Sequence, residues 1–436
     1  MRVLLLTIGS HGDVHPFIDI AAALQRAGHE AVLATNPLFQ QQIEKTGIAF
    51  ESLMDRVDIR DLIRDYPVMD AVWGPLVVMR QLILPDVPAL VKRSRELIRS
   101  LKPDAVVYHP ILFGAPWACQ LEGGPRTISV SPSPLLWCNP RDTMVLMPGR
   151  SANPWKWSVQ MDVVIGKLGM RLALDPGLNR VRRSLGLPKL KDQLRRAATD
   201  ADLNLGIWSP LFRAPLEGDP AKSVVTGFTW HDRDPTQQTP DPELLSFLDA
   251  GDPPIVFSLG STGVHAPQRF FEHAVVAAQS LGARALLVVG RDQPTPSNMP
   301  KDSRFKAVAY APYSVVFPRA SVVVHHGGAG TTAQGLRSGR PSVVTPMAHD
   351  QFDNAARVQR MHAGKMLRFY RVTAKRLAKV IAAVQSDPAC LETATRLAAG
   401  LRREDGAVVA ARCIASGWSE GPASAEPVDK TVPRSG

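Results

Sequence analysis

The stretch from Ala320 to Thr332 constrains the fold more than any other part of this sequence. It opens with a β-branched run, Ser321 to Val324, of the kind that forms buried strands. Three glycines follow closely: Gly327, Gly328 and Gly330. A helical pattern begins at Thr331. Glycines let backbone N–H groups approach a ligand, and a helix N-terminus favours negative charge, so this order predicts an α/β fold with a phosphate or diphosphate site.

Side chains beside the glycines add donors to this site. The hydroxyls of Thr331 and Thr332 are expected to cap the helix and to donate to the anion, and His326 is a further donor. The spacing is neither the Gly-Lys-Ser/Thr loop of nucleotide triphosphatases nor the G-x-G-x-x-G fingerprint of dinucleotide-binding proteins. On its own, the turn is equally well explained as a tight connection between a strand and a helix.

The next segments favour a ligand site over a plain connection. Pro341–Pro346 has the pattern of a second buried strand, and the polar segment Met347–Ala355 comes directly after it. Asp350 and Gln351 are therefore expected at the carboxyl end of a strand, which is the edge where open α/β sheets bind ligands.

In this order, the segments resemble the donor-binding signature of the UDP-glycosyltransferase superfamily (glycosyltransferase family 1). That signature runs W-x-P-Q, H-C-G-W-N-S-x-x-E-G, G-x-P and D-Q-x-x-N, and Tyr310–Tyr313 stands where the first block belongs. The resemblance implies the GT-B fold, in which two doubly wound Rossmann-like α/β domains face each other across a cleft. Gly9–Phe17 and Ala348–Ala355 look most like bacterial rhamnolipid-type and sterol or antibiotic glycosyltransferases.

The resemblance also implies which residues bind a nucleotide-sugar donor. They are Gly260, Ser261, Tyr310, Tyr313, His326, Gly328, Gly330, Thr331, Gln334, Asp350 and Gln351. The Gly-rich turn would hold the diphosphate, and Asp350 and Gln351 would bond the sugar hydroxyls. Gln334 takes the place of the ribose-binding glutamate, and Tyr310 that of the base-stacking tryptophan, which leaves uridine and thymidine donors both open.

The length and composition of the chain indicate a two-domain protein. Its 436 residues are enough for about two domains. We expect an acceptor-binding domain at 1–230, a proline-rich linker at 231–243 and a donor-binding domain at 244–418. The last helices of the second domain are expected to pack back on the first, and the tail at 419–436 is expected to be disordered.

Other features exclude several kinds of site. The four cysteines are scattered, which argues against a disulfide framework or a zinc site and favours a reducing cytoplasm. No apolar run of membrane-spanning length is expected. The first eight residues resemble the start of a signal peptide, but the segment from Gly9 cuts this apolar stretch short, so it is better explained as a first buried strand. Asp232–Asp234 matches a D-x-D metal motif literally, but it lies in the linker without a preceding strand. We therefore expect no metal and no cofactor, with the nucleotide sugar as a co-substrate.

The N-terminal turn Gly9–Pro16 offers candidates for the catalytic base. It follows a predicted strand and precedes a helix through Phe17, and its side chains His11, Asp13 and His15 cluster there. In the family that the chain resembles, the base stands three residues before a Pro or Asn, which corresponds to Asp13. A carboxylate there can accept a proton from a hydroxyl, whereas the alternative is that Asp13 only caps the helix. His11 is the second candidate base, and His15 is expected to be structural.

A second histidine follows the predicted strand Pro103–Tyr108. The family often has an aspartate at this strand end that pairs with a catalytic histidine, and here His109 occupies the place. This arrangement suggests a pair of Asp13 with His109 in which the residue types are exchanged. A purely structural His109 is the alternative.

The net charge of +11 is consistent with an anionic partner. Basic residues are dense from Arg141 to Arg196, and Trp155 and Trp157 lie within that window. A solvated face is one interpretation, and a peripheral patch for an anionic lipid surface on the inner face of the cell membrane is the other. No nucleic-acid recognition module is visible, so no nucleic acid partner is expected.

The resemblance to the UDP-glycosyltransferase superfamily, taken with these patterns, implies an inverting, metal-independent glycosyltransferase. It would move a hexose from a UDP- or dTDP-sugar to a hydroxyl of a lipidic or aromatic small molecule, with Asp13 as base. A nucleotide-sugar epimerase of the same fold is an alternative, as is a nucleotide-sugar binding protein without turnover.

Overall fold

The structure is a computed structural model that describes residues 1–55, 66–146, 148–231, 241–260, 269–290 and 293–416. The described residues form two parallel sheets, one from each half of the chain. In each sheet the first strand of that half lies in the interior, and later strands are added on both sides of it, as in doubly wound α/β domains. The predicted fold class is therefore confirmed.

The described part of the N-terminal half contains a seven-stranded sheet in the order β3-β2-β1-β4-β5-β6-β7. Its strands are β1 (Arg2–Leu6), β2 (Glu30–Thr35), β3 (Ala49–Ser52), β4 (Ala105–Tyr108), β5 (Arg126–Ser131), β6 (Leu203–Gly206) and β7 (Ser223–Val225). Because β1 pairs with β4 in parallel, with Leu6 beside Tyr108, the residues that follow these two strands meet at one edge.

The described part of the C-terminal half contains a six-stranded sheet in the order β10-β9-β8-β11-β12-β13. Its strands are β8 (Ile255–Ser258), β9 (Ala285–Val288), β10 (Phe305–Val308), β11 (Val322–His325), β12 (Ser342–Val344) and β13 (Gly364–Met366). Strand β11 lies between β8 and β12, which brings their carboxyl ends together.

Helices cover both faces of each sheet. In the N-terminal half they are α1 (His11–Arg26), α2 (Gln40–Glu44), α3 (Gly74–Val77), α4 (Val87–Leu101), α5 (Gly114–Leu121), α6 (Lys156–Ser184) and α7 (Gln193–Thr199). In the C-terminal half they are α8 (Pro242–Asp249), α9 (Arg269–Ser280), α10 (Tyr313–Val316), α11 (Ala329–Ser338), α12 (Gln351–Arg360), α13 (Ala374–Gln385), α14 (Pro388–Leu401) and α15 (Gly406–Ser416). Shorter 3₁₀ and π segments lie at Pro37–Phe39, Val78–Ile83, Leu84–Asp86, Pro134–Trp137, Phe317–Arg319 and Phe369–Arg371.

The strands are apolar on both faces because each face is covered. In β1, Val3 and Leu5 pack on the side of α1, whereas Leu4 and Leu6 pack on the side of α4 and α5. Helix α15 belongs to the first of these two clusters, so the last described helix lies against the N-terminal sheet. This burial on two sides explains the continuous β-branched and aliphatic runs of the sequence.

Two helices begin earlier than the sequence pattern indicated. Helix α1 starts at His11 rather than after Pro16, because Ser10 is its N-cap and Asp13 completes a capping box with Ser10. Pro16 therefore lies inside the helix. Helix α8 starts at Pro242, inside the segment predicted as linker. Residues 232–240, which include the D-x-D segment, lie outside the described residues, as does the tail.

Buried ion pairs join the two halves. Arg357 of α12 contacts Asp142 of the N-terminal half at 2.8 Å and Asp353 of its own helix at 2.8 Å. Asp353 also accepts a hydrogen bond from the Val145 backbone N–H at 2.9 Å, and Asp142 contacts Arg213 at 3.1 Å. These partners neutralise one another, which a buried charge requires.

Within the described residues, one helical stretch, Gly74–Leu101, is long and apolar enough to cross a membrane by length and composition. This stretch differs from the expectation that no apolar run reaches membrane-spanning length. In the fold, Val87 and Leu90 of this stretch are buried in the N-terminal core.

Candidate functional site

The Gly-rich turn after β11 forms a cradle for an anion. Gly327 has a φ of 94°, and a side chain there would press on Val344 and on the backbone of Gln351. Gly328 is the N-cap of α11 and has no side chain with which to cap it. The N-cap residue therefore offers no side-chain acceptor to the first N–H groups of α11, and these groups can donate to a phosphate.

The structure corrects the predicted role of the two threonines in this cradle. The helix begins at Ala329, so Thr331 and Thr332 are its third and fourth positions rather than its cap. The Thr332 backbone N–H donates to the Gly328 carbonyl at 2.8 Å, which gives that residue an ordinary helical role. Thr331 lies within the first turn, and its side chain is buried.

The His326 imidazole lies between two glycines that come from different loops. A side chain at Gly260 or at Gly328 would collide with this ring, so both positions need glycine. The ring is buried, and its Nδ1 atom has no hydrogen-bond partner among the residues that the structure describes. Burial lowers the pKa of His326 to about 4, so the imidazole is neutral at pH 7. A buried nitrogen without a partner usually marks the place of a ligand or a water molecule.

The segment after β12 lies beside the cradle. Asn354 donates to the Gly327 carbonyl at 2.8 Å and to Asp350 Oδ2 at 3.0 Å, so one amide ties the two loops together. Asp350 is partly buried at the start of α12. Burial raises the pKa of Asp350 to about 6, the Asn354 hydrogen bond opposes the rise, and the charge of Asp13 adds to it.

On the N-terminal side, the Asp13 carboxylate has two different environments. Its Oδ2 atom accepts hydrogen bonds from the Ser10 backbone N–H at 2.8 Å and from the Ser10 hydroxyl at 3.0 Å. Its Oδ1 atom faces His109 Nε2 at 3.5 Å. From the sequence, helix capping and proton acceptance were alternative roles for Asp13. In the structure, Oδ2 makes the capping hydrogen bonds and Oδ1 faces His109, so one role does not exclude the other.

His109 is oriented by the backbone that follows it. Its Nδ1 atom accepts a hydrogen bond from the Ile111 N–H at 3.2 Å, so the proton of the neutral ring lies on Nε2, which faces Asp13. Burial lowers the pKa of His109, and the Asp13 carboxylate opposes that shift. The pair therefore consists of a neutral imidazole N–H beside a carboxylate oxygen.

Asp13 also lies close to the donor-side loop. Burial lowers the pKa of His349, and its hydrogen bond to the Val68 backbone and the charge of Asp13 both oppose that shift. Since the charge of Asp13 acts on His349 and on Asp350, the carboxylate of the N-terminal half lies within electrostatic reach of this loop. An acceptor placed between them would contact both halves of the chain.

Two family models match the chain. Residues 3–117 match the glycosyltransferase family 28 N-terminal domain, and residues 281–415 match the erythromycin biosynthesis protein CIII-like, C-terminal domain. The chain is 30% identical over 440 residues to the O-mycaminosyltylonolide 6-deoxyallosyltransferase of Streptomyces fradiae, covering 96% of this chain and 98% of that protein.

Further similarities extend to a plant enzyme and to solved structures. The sterol 3-beta-glucosyltransferase UGT80A2 of Arabidopsis thaliana is 28% identical over 363 residues, covering 80% of this chain and 55% of that protein. The crystal structure of the kitacinnamycin glycotransferase superposes with a TM-score of 0.73 at 22% identity, covering 95% of this chain and 98% of that one. The agreement with the relative from Streptomyces over nearly the full length of both proteins decides the family.

The chain belongs to the UDP-glycosyltransferase superfamily and has the GT-B fold.

Most of the residues predicted to bind the nucleotide-sugar donor lie around the anion cradle. Two of them, Tyr313 and Gln351, use their polar side-chain atoms in hydrogen bonds within the protein. The Tyr313 hydroxyl is hydrogen-bonded to the Ser258 hydroxyl at 2.7 Å, and its ring stacks on Phe317 at 4.3 Å, so this side chain belongs to the domain core. Gln351 Oε1 accepts from the backbone N–H groups of Met347 and Ala348 at 2.9 and 3.2 Å, which leaves only its amide nitrogen for a sugar hydroxyl.

The remaining predicted residues have the following places. Tyr310 is 45% exposed just before α10, and Gln334 is half-buried on α11. Gly330 lies in the first turn of α11, where a side chain would meet open space. Ser261 falls outside the described residues.

The histidines of α1 differ in surroundings. His15 stacks on His231 at 4.0 Å and contacts the Gln42 amide at 3.2 Å, as a structural residue would. Burial lowers the pKa of His15. His11 is exposed at the start of α1, with its ring 5.1 Å from that of His15.

Sequence reasoning missed three residues that shape this glycosyltransferase site. Asn354 was read only as part of a motif, although it joins the two donor loops. His325 Nδ1 accepts from the Gly327 N–H at 3.2 Å and so supports the Gly-rich turn. His349 has a φ of 57°, a left-handed conformation that is uncommon outside glycine. In the sequence, the adjacent pair His325 and His326 could have drawn attention to His325. The Ala-His-Asp-Gln run at 348–351 could have drawn attention to His349 and to Asn354 after it.

Proposed function

We propose that this glycosyltransferase moves a hexose from a UDP- or dTDP-sugar to a hydroxyl group of a hydrophobic small molecule, with inversion at the anomeric carbon and without a metal ion. The observation that carries the proposal is the position of Asp13. Its carboxylate lies next to His109, and its charge acts on Asp350, which Asn354 ties to the Gly327 turn of the anion cradle. A base on one domain and a leaving-group site on the other are what direct displacement requires.

Asp13 Oδ1 is the proposed acceptor of the hydroxyl proton. The Ser10 hydrogen bonds fix the other carboxylate oxygen, so the side chain does not need to reorganise during the reaction. His109 is the proposed positioning residue, since its Nε2–H lies 3.5 Å from the reactive oxygen. Inversion follows if the acceptor hydroxyl attacks from this side while the diphosphate leaves on the other.

The departing diphosphate is the proposed ligand of the cradle. The first N–H groups of α11 and the neutral His326 ring would donate to its oxygens, and the N-terminal end of the helix would stabilise its charge. The proposal assigns this neutralisation to the protein itself, so neither a metal nor another cofactor is assigned a step.

The named relatives support the classes of donor and acceptor. One is a 6-deoxyallosyltransferase named for O-mycaminosyltylonolide, and another is a sterol 3-beta-glucosyltransferase. Two similar solved structures are complexes with thymidine diphosphate: the glycosyltransferase SsfS6 of Streptomyces sp. SF2575 and the glycosyltransferase VinC. These relatives and complexes support a nucleoside-diphosphate donor and an apolar acceptor for this chain. A cytoplasmic location stays a prediction from the sequence.

A donor screen tests this proposal. UDP, dTDP and their hexose derivatives would be ranked by thermal stabilisation, and the best donor would then be incubated with and without a panel of sterols and polyketide aglycones. We expect nucleoside diphosphate to be released only when an acceptor is present, with an inverted anomeric centre in the product. Epimerised donor without any acceptor would support the epimerase, and stabilisation without turnover would support a binding protein.

A further inference from the structure

Helix α6 presents an apolar face to solvent instead of to the core. Six large apolar side chains on it are between 50% and 67% exposed: Trp157, Met161, Val164, Ile165, Leu168 and Leu172. Their spacing of three or four residues places them on one side of the helix, which we call the α6 face. An apolar surface of this kind on a single chain usually marks an interaction site.

The acidic residues of α6 are buried and paired. Asp162 is buried and bonds the Arg150 guanidinium, with Nε to Oδ2 at 2.7 Å. Asp175 is buried and accepts from the backbone N–H groups of Asp192 and Gln193 at 2.9 and 3.2 Å. Both acids of the helix therefore have internal partners and contribute no negative charge to its outer side.

The charged groups of α6 that reach solvent are basic. Lys156, Arg180 and Arg183 are exposed, and Lys167 and Arg171 are partly exposed. All residues of α6 lie in the described part of the chain, so its outer side combines an apolar stripe with cations and no acid. Trp155 is 72% exposed directly before the helix, next to Trp157.

We propose that the α6 face docks on a lipid bilayer that contains anionic headgroups. Lysine and arginine stems can extend from the stripe to phosphate oxygens while the aliphatic side chains enter the acyl region. Tryptophan is well suited to the level between headgroups and chains. A second copy of this chain fits less well, because a two-fold contact of two α6 faces would bring their cations together.

The inner side of α6 is connected to the cleft. Val159 and Val163 pack with Met144 in one small cluster. The next residue, Val145, donates its N–H to Asp353 of α12. Docking on the α6 face would therefore hold the cleft close to the bilayer, where apolar acceptors dissolve. The proposal itself does not depend on which donor or acceptor the enzyme uses.

Vesicle sedimentation tests the proposal with the full-length protein. The probes are vesicles of phosphatidylcholine alone and of phosphatidylcholine with phosphatidylglycerol. One variant combines Val164→Gln, Ile165→Gln and Leu168→Gln, and a second combines Lys156→Gln with Arg171→Gln. The matched control combines Val276→Gln with Leu391→Gln, which are exposed apolar residues of the other half. Circular dichroism and the melting temperature check that each variant is folded.

The expected results differ between the two kinds of lipid. The parent and the control should partition onto the anionic vesicles and only weakly onto neutral ones. Partitioning of the apolar triple variant should fall by more than about tenfold, because the apolar area of the three replaced side chains no longer enters the bilayer. The basic pair should lose about fivefold for each cation removed, and this loss should shrink in high salt.

Three outcomes would overturn the proposal. The first is equal, weak partitioning of the parent onto both kinds of vesicle, and the second is a folded triple variant that partitions like the parent. The third is a parent dimer in sedimentation velocity that the triple variant converts to a monomer. That result would make the α6 face a contact between copies of this chain.

Discussion

His109 Nε2 lies 3.5 Å from Asp13 Oδ1, and the backbone N–H of Ile111 determines which nitrogen of that ring carries the proton. The two residues are 96 positions apart, but they follow strands β1 and β4, which pair side by side. The sheet thus brings a carboxylate and an oriented N–H to one edge, where the charge of Asp13 acts on Asp350 of the other half.

Replacing His326 is expected to weaken donor binding. His326→Ala removes a neutral N–H donor beside the diphosphate site, and one hydrogen bond to a charged group contributes roughly 1.5–3 kcal/mol. Isothermal calorimetry with the preferred nucleoside diphosphate measures the change, with His29→Ala as a histidine control far from the cradle. Unchanged affinity in His326→Ala would remove this residue from the site.

The buried histidines also predict a pH dependence of stability. The pKa of His326 is lowered to about 4 by burial, whereas an unfolded histidine titrates near 6.5. Below pH 6.5 the unfolded chain binds a proton that the folded chain does not, so stability is fully present above pH 6.5 and falls as the pH falls toward 4. His326 alone should cost about 2 kcal/mol between pH 7 and pH 5.

Urea denaturation at pH 7 and pH 5 measures this effect. Other groups titrate in the same range, so the informative quantity is the difference between the parent and His326→Gln, a variant with no ionisable side chain there. The variant should lose less stability than the parent over this interval. Parallel pH profiles would mean that the pKa of His326 in the folded protein is close to its value in the unfolded chain.

Gln334→Glu is expected to shift the donor preference toward uridine. A carboxylate at this position of α11 accepts from ribose hydroxyls, and a 2′-deoxyribose offers one fewer. We expect the ratio of kcat/KM for UDP-sugars over dTDP-sugars to rise about tenfold, the equivalent of one hydrogen bond. The same ratio in parent and variant would show that Gln334 does not contact the ribose.

Arg357 is expected to be essential for stability. Arg357→Leu leaves the Asp353 carboxylate buried without its cation and leaves Asp142 with Arg213 as its cation, and breaking a buried pair in this way typically costs about 3–5 kcal/mol. Arg196→Ala is the matched control, since it removes an exposed pair with Asp200 and an exposed hydrogen bond to the Lys191 carbonyl, and it should cost about 1 kcal/mol or less. Urea midpoints that fall by the same amount in both variants would contradict the role of the buried network.

Much of this architecture follows from local patterns in the sequence. The β-branched run before Gly327 predicts β11, and its glycines predict the turn, because few other residues adopt a φ of 94°. The pairing of Asp13 with His109 was also predictable, since both follow buried strands of one parallel sheet. The early start of α1 was readable as well, from the Ser10 and Asp13 capping box.

Other features depend on tertiary partners that no local pattern reveals. The Tyr313 hydroxyl is engaged because Ser258 ends a strand that is distant in sequence. Gln351 Oε1 is engaged because the loop at Met347 folds back on it. The spacing of Val164 and Leu168 predicts an apolar side of α6, but only the fold shows that this side faces solvent. Periodicity identifies a face and not what covers it.

The central claim is that Asp13 is the catalytic base, and Asp13→Asn tests it most directly. Asparagine keeps the shape of the side chain, and its oxygen can still accept from the Ser10 N–H, so the capping of α1 is retained. It cannot accept a proton, and loss of a general base typically costs about 10²–10⁴ in rate.

The deciding measurement is kcat of Asp13→Asn, determined beside its donor affinity and melting temperature. We predict that kcat falls by about 10²–10⁴ while donor affinity and melting temperature stay near those of the parent. If transfer survives in Asp13→Asn but is lost in His11→Ala, His11 is the base. That result would contradict the mechanism proposed for this site.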